Sequence, residues 1–399
     1  MPRNLGGRCL AALAALLIAA VPATAAIDAS LTSPLGNNGG KPPQFVLFTH
    51  DDAVTEQTHK LMLAVTEGRK SATNDCPAVA TMFVTTANGQ NDCELMMDLY
   101  HKGYEIADHT VSHNSVRGVR YSQVADEIVG LRDRLVKQCG IPKQDIVGFR
   151  APYLSTDENV RKVLAANKFL YDSTLIEEVA GSSLSRGMSR RVWPFDLAHG
   201  AKTNCRYFGS FQGCSSQEHW PGMFNVPVWQ IMQQDSRGNT KGVWSMDYAE
   251  GRSADDVFNI LKQNFDAAYN GNRAPIPIFI HTPWLANRDQ LKGVMRFVDY
   301  ALQQEDTYLV SIRQMLAWMQ HPEPADQLTA ERLGCGNPGG APGSTAAPAQ
   351  PATAGVVPHG PGAGVRPTQP LSTGPWGALM AKTIEEAQQE EGGSQEEGA

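Results

Sequence analysis

The chain has 399 residues, 42% of them hydrophobic and 19% charged, with a formal net charge of −7. This balance excludes a collagen, a coiled coil and a polytopic membrane protein. An acidic chain also lacks the basic surface that nucleic acid or an anionic membrane would require.

Taken in order, the chain opens with Arg3 and Arg8, the apolar run Cys9–Val21 and the small residues Ala23-Thr24-Ala25-Ala26. That order reads as a secretory signal peptide over residues 1–26, so a secreted, extracellular protein is expected. The run is shorter than the about 20 residues that span a bilayer, and no other segment reaches that length. Short β-rich runs then appear at Phe45–Thr49, Val79–Val84, Glu105–Asp108, Ile146–Phe149, Phe169–Tyr171, Val226–Trp229, Ile276–Ile280 and Tyr308–Ser311. Stretches of helical period fall between most of them, at Glu56–Val65, Cys93–His101, Ser122–Gln138, Ala254–Tyr269 and Arg288–Gln303. The alternation predicts an α/β fold with a largely parallel sheet. Its length suits a (β/α) barrel, with an open doubly wound sheet as the alternative. The segment Gly181–Pro221 is polar and irregular and is expected to cover one face. Residues 336–399 contain 13 Gly, 9 Pro and 11 Ala, a composition that cannot bury enough surface to offset chain entropy and predicts a disordered, acidic tail. One catalytic domain, about residues 40–325, is left between the ends. With +2 in the leader and −4 in the tail, that body carries −5, which suits a neutral substrate.

Without Cys9 in the leader, Cys76, Cys93, Cys139, Cys205, Cys214 and Cys335 remain. An even number in a secreted chain predicts three disulfides, and six cysteines allow 15 pairings. Cys205 and Cys214 share one loop and form the best local pair.

Reactive residues cluster where four predicted strands end, the place where a parallel barrel assembles its active site. Thr49-His50-Asp51-Asp52 follows the first strand. Adjacent carboxylates beside a buried strand need a compensating cation, or serve as a helix N-cap. His109-Thr110-Val111-Ser112-His113 follows the third. Its histidines would share one face of a helix, and with an Asp from a neighbouring strand they make a three-ligand set of the kind catalytic zinc uses. Arg150-Ala151-Pro152-Tyr153 is a rigid turn able to present a backbone N–H. His281 ends the strand Ile276–Ile280. No nucleotide-binding glycine loop accompanies these clusters.

Together, the Thr-x-Asp-Asp motif at 49–52, the His-x-x-x-His motif at 109–113, Arg-x-Pro-Tyr at 150–153 and the late His281 resemble polysaccharide deacetylases of carbohydrate esterase family four. Stretches such as Phe169–Thr174, Asn272–Pro275 and His281–Leu285 are similar to the insect-type chitin deacetylases in particular. The resemblance implies a deformed (β/α) barrel and a zinc-dependent N-deacetylase, with Co2+ as another metal able to serve. It implies Asp52, His109 and His113 as metal ligands, Asp51 as general base, His281 as general acid and the Tyr153 N–H as an oxyanion donor. Arg150 belongs to the same catalytic group, and its carboxylate partner and that of His281 are to be sought at Asp172 or Asp247. Trp284, Tyr153 and Trp244 are candidate sugar-stacking surfaces, each equally readable as a core residue, and for Trp244 the core reading is favoured. His50 departs from the family, which usually has Phe there. The implied substrate is chitin or a chito-oligosaccharide; the sequence leaves the oligomeric state open, with a monomer as the expectation. The competing readings are a catalytically silent chitin-binding protein, and a deacetylase of another glycan such as peptidoglycan.

Overall fold

The computed structural model describes residues 27–87, 91–178, 190–206, 208–234, 237, 240–243, 247 and 252–341. The expected signal segment and most of the expected tail lie outside these residues.

The strands in chain order are β1 Gln44–Asp51, β2 Thr81–Val84, β3 Glu105–Asp108, β4 Gly148–Phe149, β5 Tyr171–Asp172, β6 Ile176–Glu177 and β7 Phe195–Leu197. They continue as β8 Trp220–Asn225, β9 Val228–Trp229, β10 Ile231–Gln234, β11 Thr240–Val243, β12 Ile276–Ile280 and β13 Thr307–Leu309. The helices are α1 Glu56–Thr66, α2 Cys93–His101, α3 Tyr121–Arg134, α4 Glu158–Ala166, α5 Ala254–Tyr269, α6 Thr282–Leu285, α7 Arg288–Leu302 and α8 Ile312–Gln320.

Nine strands form one sheet in the order β12-β1-β2-β3-β4-β5-β8-β7, with β13 joined to the start of β1. Every pairing is parallel except β7 with β8. The sheet curls into a half-barrel, so the deformed barrel expected from the sequence is the observed fold. The cause is visible in β1, where all eight residues are buried. Such a strand must be covered on both faces, which is the condition for a parallel sheet flanked by helices. Five helices start on the side-chain caps Thr55, Asp92, Asp157, Ser253 and Asn287, each of which accepts a backbone N–H of the following turn.

Three expected elements end elsewhere, each for a local reason. The strand expected through Ser311 stops at Leu309, because Ser311 turns to cap α8 in a reciprocal capping box with Gln314. The strand expected at Val226–Trp229 is split. Pro227 has no N–H to give a ladder, so Trp220–Asn225 joins the central sheet while Val228–Trp229 pairs with β6. The helix expected over Ser122–Gln138 leaves α-geometry after Arg134 and closes in a π-turn at Leu135–Cys139. Residues 336–341, the start of the expected tail, pack on the body: Gly340 sits against Ser311 and Gln314.

All six expected cysteines are paired. Cys205–Cys214 closes the local loop, Cys93–Cys139 joins α2 to the end of the π-turn, and Cys76–Cys335 ties the segment before β2 to the segment after α8. Among the described residues no helix is long and apolar enough to cross a membrane.

A disulfide stabilises more when it closes a longer loop. The separations here are 259 residues for Cys76–Cys335 and 9 for Cys205–Cys214. Replacing the first pair with alanine is expected to lower the unfolding free energy by roughly 3 kcal/mol more than replacing the second, on the loop-entropy relation. Urea denaturation of the two double variants measures the difference.

Candidate active site

The four reactive clusters stand at the C-terminal ends of β1, β3, β4 and β12. The period of two along β1 sends Thr49 and Asp51 to the same side. Both accept from Arg150 Nη1, at 2.9 Å for Thr49 Oγ1 and 2.6 Å for Asp51 Oδ1. Arg150 Nε donates to the Ser173 carbonyl at 2.9 Å and Nη2 to Ser173 Oγ at 3.1 Å. Its guanidinium lies over the rings of Phe83 and Phe279, 4.0 and 4.3 Å from their centroids. The carboxylate partner of Arg150 is therefore Asp51, not Asp172 or Asp247. Burial alone would raise the Asp51 carboxyl, but the Arg150 cation and then His109 and His281 hold it below the usual range. The other oxygen, Oδ2, faces the histidines, 4.0 Å from His109 Nε2.

Past Asp51 the strand breaks into left-handed backbone, with φ +88° at Asp52. This turn brings the Asp52 carboxylate over the loop that follows β3. Asp52 Oδ1 lies 3.2 Å from His113 Nε2 and 3.9 Å from His109 Nε2. One ligand atom from each of the three residues falls within 4.8 Å of the others. Bonds of about 2.1 Å at tetrahedral angles would hold ligand atoms about 3.4 Å apart, so the donor set fits a small divalent ion. The His109 Nδ1–H donates to the Arg150 carbonyl at 2.7 Å, which leaves Nε2 with its lone pair toward the site. Burial, followed by the neighbouring His109, lowers the His113 imidazole to about 4, which makes it a neutral donor. These histidines do not share a helix face, as the spacing suggested. Residues 109–113 are irregular, with φ +68° at Thr110 and +55° at His113. The rings meet through that turn, their centroids 5.1 Å apart. Glu127 of α3 secures the turn by accepting from the Ser112 N–H and O–H, both at 2.8 Å.

His281 lies across the site, its Nε2 4.0 Å from Asp52 Oδ2. Asp247 is its partner: Oδ1 accepts from the His281 amide at 2.8 Å and Oδ2 from Nδ1 at 2.6 Å. Burial works against the charged imidazole, but Asp247, assisted by Asp52 and Asp51, raises it to about 10. Asp172 touches neither Arg150 nor His281 among its described bonds. It accepts from the Thr174 hydroxyl and faces Arg161 at 4.0 Å. Tyr153 sits in a turn at φ +58° with its ring edge-on to His113, centroids 4.8 Å apart. The expectation for Trp284 is corrected. It is 5% exposed and belongs to the main core, because α6 folds back on α7. There Gln290, with its amide oriented to satisfy both groups, accepts from the indole N–H at 2.9 Å and donates to the Trp284 carbonyl at 2.7 Å. Trp244 lies outside the described residues.

The site thus brings a candidate metal-ligand set, Asp52, His109 and His113, between the Asp51 carboxylate beside Arg150 and the His281 imidazole beside Asp247. Residues 38–171 match the polysaccharide deacetylase family. The span carries the first three motif clusters and leaves out His281. Chitin deacetylase 1 of Bombyx mori is 27% identical over 293 residues, covering 70% of this chain and 51% of that protein, so the match spans about half its length. Chitin deacetylase 8 of Bombyx mori is 26% identical over 307 residues, covering 75% of this chain and 76% of that protein. A family 4 carbohydrate esterase from Streptomyces lividans, solved with acetate, is 13% identical with a TM-score of 0.37, covering 66% of this chain and 91% of that one. The likeness to polysaccharide deacetylases and to insect chitin deacetylases, read from the motifs, is borne out.

Sequence reasoning did not single out Glu127, Ser173 or Thr282 as supports of the site. Ser173 and Thr282 lie in the stretches Phe169–Thr174 and His281–Leu285, whose resemblance gave them no individual role, and Glu127 lies in no motif and reaches the site from α3.

Burial raises the Asp172 carboxyl to about 6, Arg161 offsetting part of the effect. A folded-state value above the unfolded one stabilises fully below about pH 4, and that contribution is lost as pH rises through about 6. Asp172→Asn has no such loss. Its stability relative to the parent is expected to rise by on the order of 2 kcal/mol between pH 4 and pH 8, as measured by urea denaturation at the two pH values. A pH-independent difference would contradict this assignment.

Proposed function

We propose that this chain is a secreted, metal-dependent N-deacetylase. It removes acetyl groups from N-acetylglucosamine units of chitin or chito-oligosaccharides and releases acetate. One observation carries the reading: Asp52, His109 and His113 converge, with Asp51 Oδ2 and His281 Nε2 each 4.0 Å from a member of the set. The similarity to two silkworm chitin deacetylases supports chitin as the substrate class, and the three disulfides support an oxidising, extracellular setting.

Amide hydrolysis must overcome a weak nucleophile and a poor leaving group. A zinc ion, or another divalent transition metal, held by Asp52, His109 and His113 would polarise the acetyl carbonyl and make a water more acidic. The protein's own groups handle the protons. Asp51 Oδ2 accepts the proton of the water that attacks the acetyl carbon; Arg150 holds the other oxygen and fixes the orientation. The Tyr153 backbone N–H donates to the oxyanion that develops there, a type of contact worth about 3–4 kcal/mol. His281, charged and oriented by Asp247, gives the Nε2 proton to the departing amine. General acid and base contributions of this kind are each worth about 10²- to 10⁴-fold.

Chelation is expected to abolish acetate release from chito-oligosaccharides, and added zinc to restore it. Mass spectrometry of the products should show a loss of about 42 mass units per sugar, as amide hydrolysis requires. Asp51→Asn is expected to lower kcat at least about 100-fold while zinc binding persists. Full activity in that variant would refute the base assignment. A chain that binds zinc and chitin but releases no acetate would be a silent binding protein.

A further inference from the structure

His50 is buried, yet it belongs to neither the metal set nor the acid-base pair. Its ring Nε2 lies 2.8 Å from Thr282 Oγ1, which lies 2.7 Å from Thr58 Oγ1. Thr58 Oγ1 donates to the Ala53 carbonyl at 2.9 Å. Counting protons along this chain fixes its direction. A hydroxyl has one proton, and that of Thr58 is spent on Ala53. Thr282 must therefore donate to Thr58, and the oxygen it leaves accepts from His50. The donor on His50 is Nε2–H. Its Nδ1 is then a bare acceptor, and it is buried without a hydrogen-bond partner.

Thr58 Oγ1 also lies 3.0 Å from Thr55 Oγ1, the cap of α1; the other two ends of the chain of bonds abut the site. Thr282 follows His281, and Ala53 follows Asp52. On the sheet, His50 is in register with Ile280, the residue before His281. One residue of β1 thus grips the late strand on both sides of His281: through the ladder at Ile280 and through its side chain at Thr282. Asp247 holds the imidazole and the amide of His281 itself, and His50 holds the residues on either side of it, Ile280 and Thr282.

We infer that His50 is a positioning residue, which uses the Thr282–Thr58 relay to fix the general acid His281 relative to the turn bearing Asp52. The inference rests on the deacetylase reading above. A 1 Å displacement of an acid from its leaving group is enough to slow turnover severely. Ground-state binding of the glycan does not depend on that distance.

The test uses the full-length zinc-loaded protein and a chito-oligosaccharide substrate. His50→Phe is expected to lower kcat about tenfold, with KM and zinc affinity by calorimetry changed less than twofold. His50→Gln, whose amide N–H can replace the Nε2 donor, is expected to restore most of kcat. Thr282→Val should reproduce the loss, Thr282→Ser should not, and the double variant His50→Phe/Thr282→Val should be no slower than either single one. The imidazole nitrogen shifts of His50 by NMR should report Nε2–H in the parent, whether or not substrate is present. An Nδ1–H tautomer, an unchanged kcat in His50→Phe, or a loss shared equally by kcat, zinc affinity and melting temperature would overturn the inference. The deacetylase reading fails differently, by a zinc-loaded parent that releases no acetate at all.

Discussion

The site depends on one buried cation. Arg150 is fully enclosed, and its bonds reach β1 through Thr49 and Asp51 and the end of β5 through Ser173. Its own carbonyl fixes the tautomer of His109. A guanidinium removed from water is tolerated only when its donors are satisfied and a counter-charge is near. Here Thr49, Asp51 and Ser173 accept from its N–H groups, the Asp51 carboxylate supplies the counter-charge, and two aromatic faces pack against it. Taking either charge away would leave the other buried and unpaired, a loss of about 3–5 kcal/mol in comparable pairs. The same contact that keeps Asp51 ionised therefore also ties three strand ends together.

The turns around this pair share a second feature. Asp52, Thr110, His113, Tyr153 and Asp247 all have positive φ without being glycine. Such conformations are uncommon for side-chain-bearing residues, and each requires its surroundings to hold it. The holding groups can be named in two cases. Glu127 grips the loop between the histidines, and Thr58 grips the carbonyl that follows Asp52. A regular helix or strand would aim successive side chains in fixed directions. Left-handed turns at strand ends instead let short segments bring their side chains onto one point.

The two titrating partners are separated by charge environment. Asp51 faces an arginine and is held ionised, whereas His281 faces Asp247 and is held protonated. Paired groups whose surroundings drive their protonation states apart are the usual mark of an acid and a base. The arrangement supports a single hydrolytic step in which a proton enters at one group and leaves from the other.

Much of this was legible in the sequence. Apolar runs of strand length, helical periods and capping residues are local properties, so β3 and β12 match the expected bounds residue for residue. The reactive clusters were visible because they stand where those runs end, and Cys205–Cys214 was visible because its partners share a loop. What required the tertiary structure are relations between distant segments. Asp51 rather than Asp172 pairs with Arg150, and Asp247 pairs with His281, because the sheet order and an irregular loop decide which side chains are neighbours. Likewise, Cys76 meets Cys335 across 259 residues, and Trp284 turns into the core because α6 folds onto α7. Periodicity and residue chemistry act over a few positions of chain. Strand order, backbone handedness at the turns and the competition for buried space act across the whole domain, and these selected the partners from the residues the sequence offered.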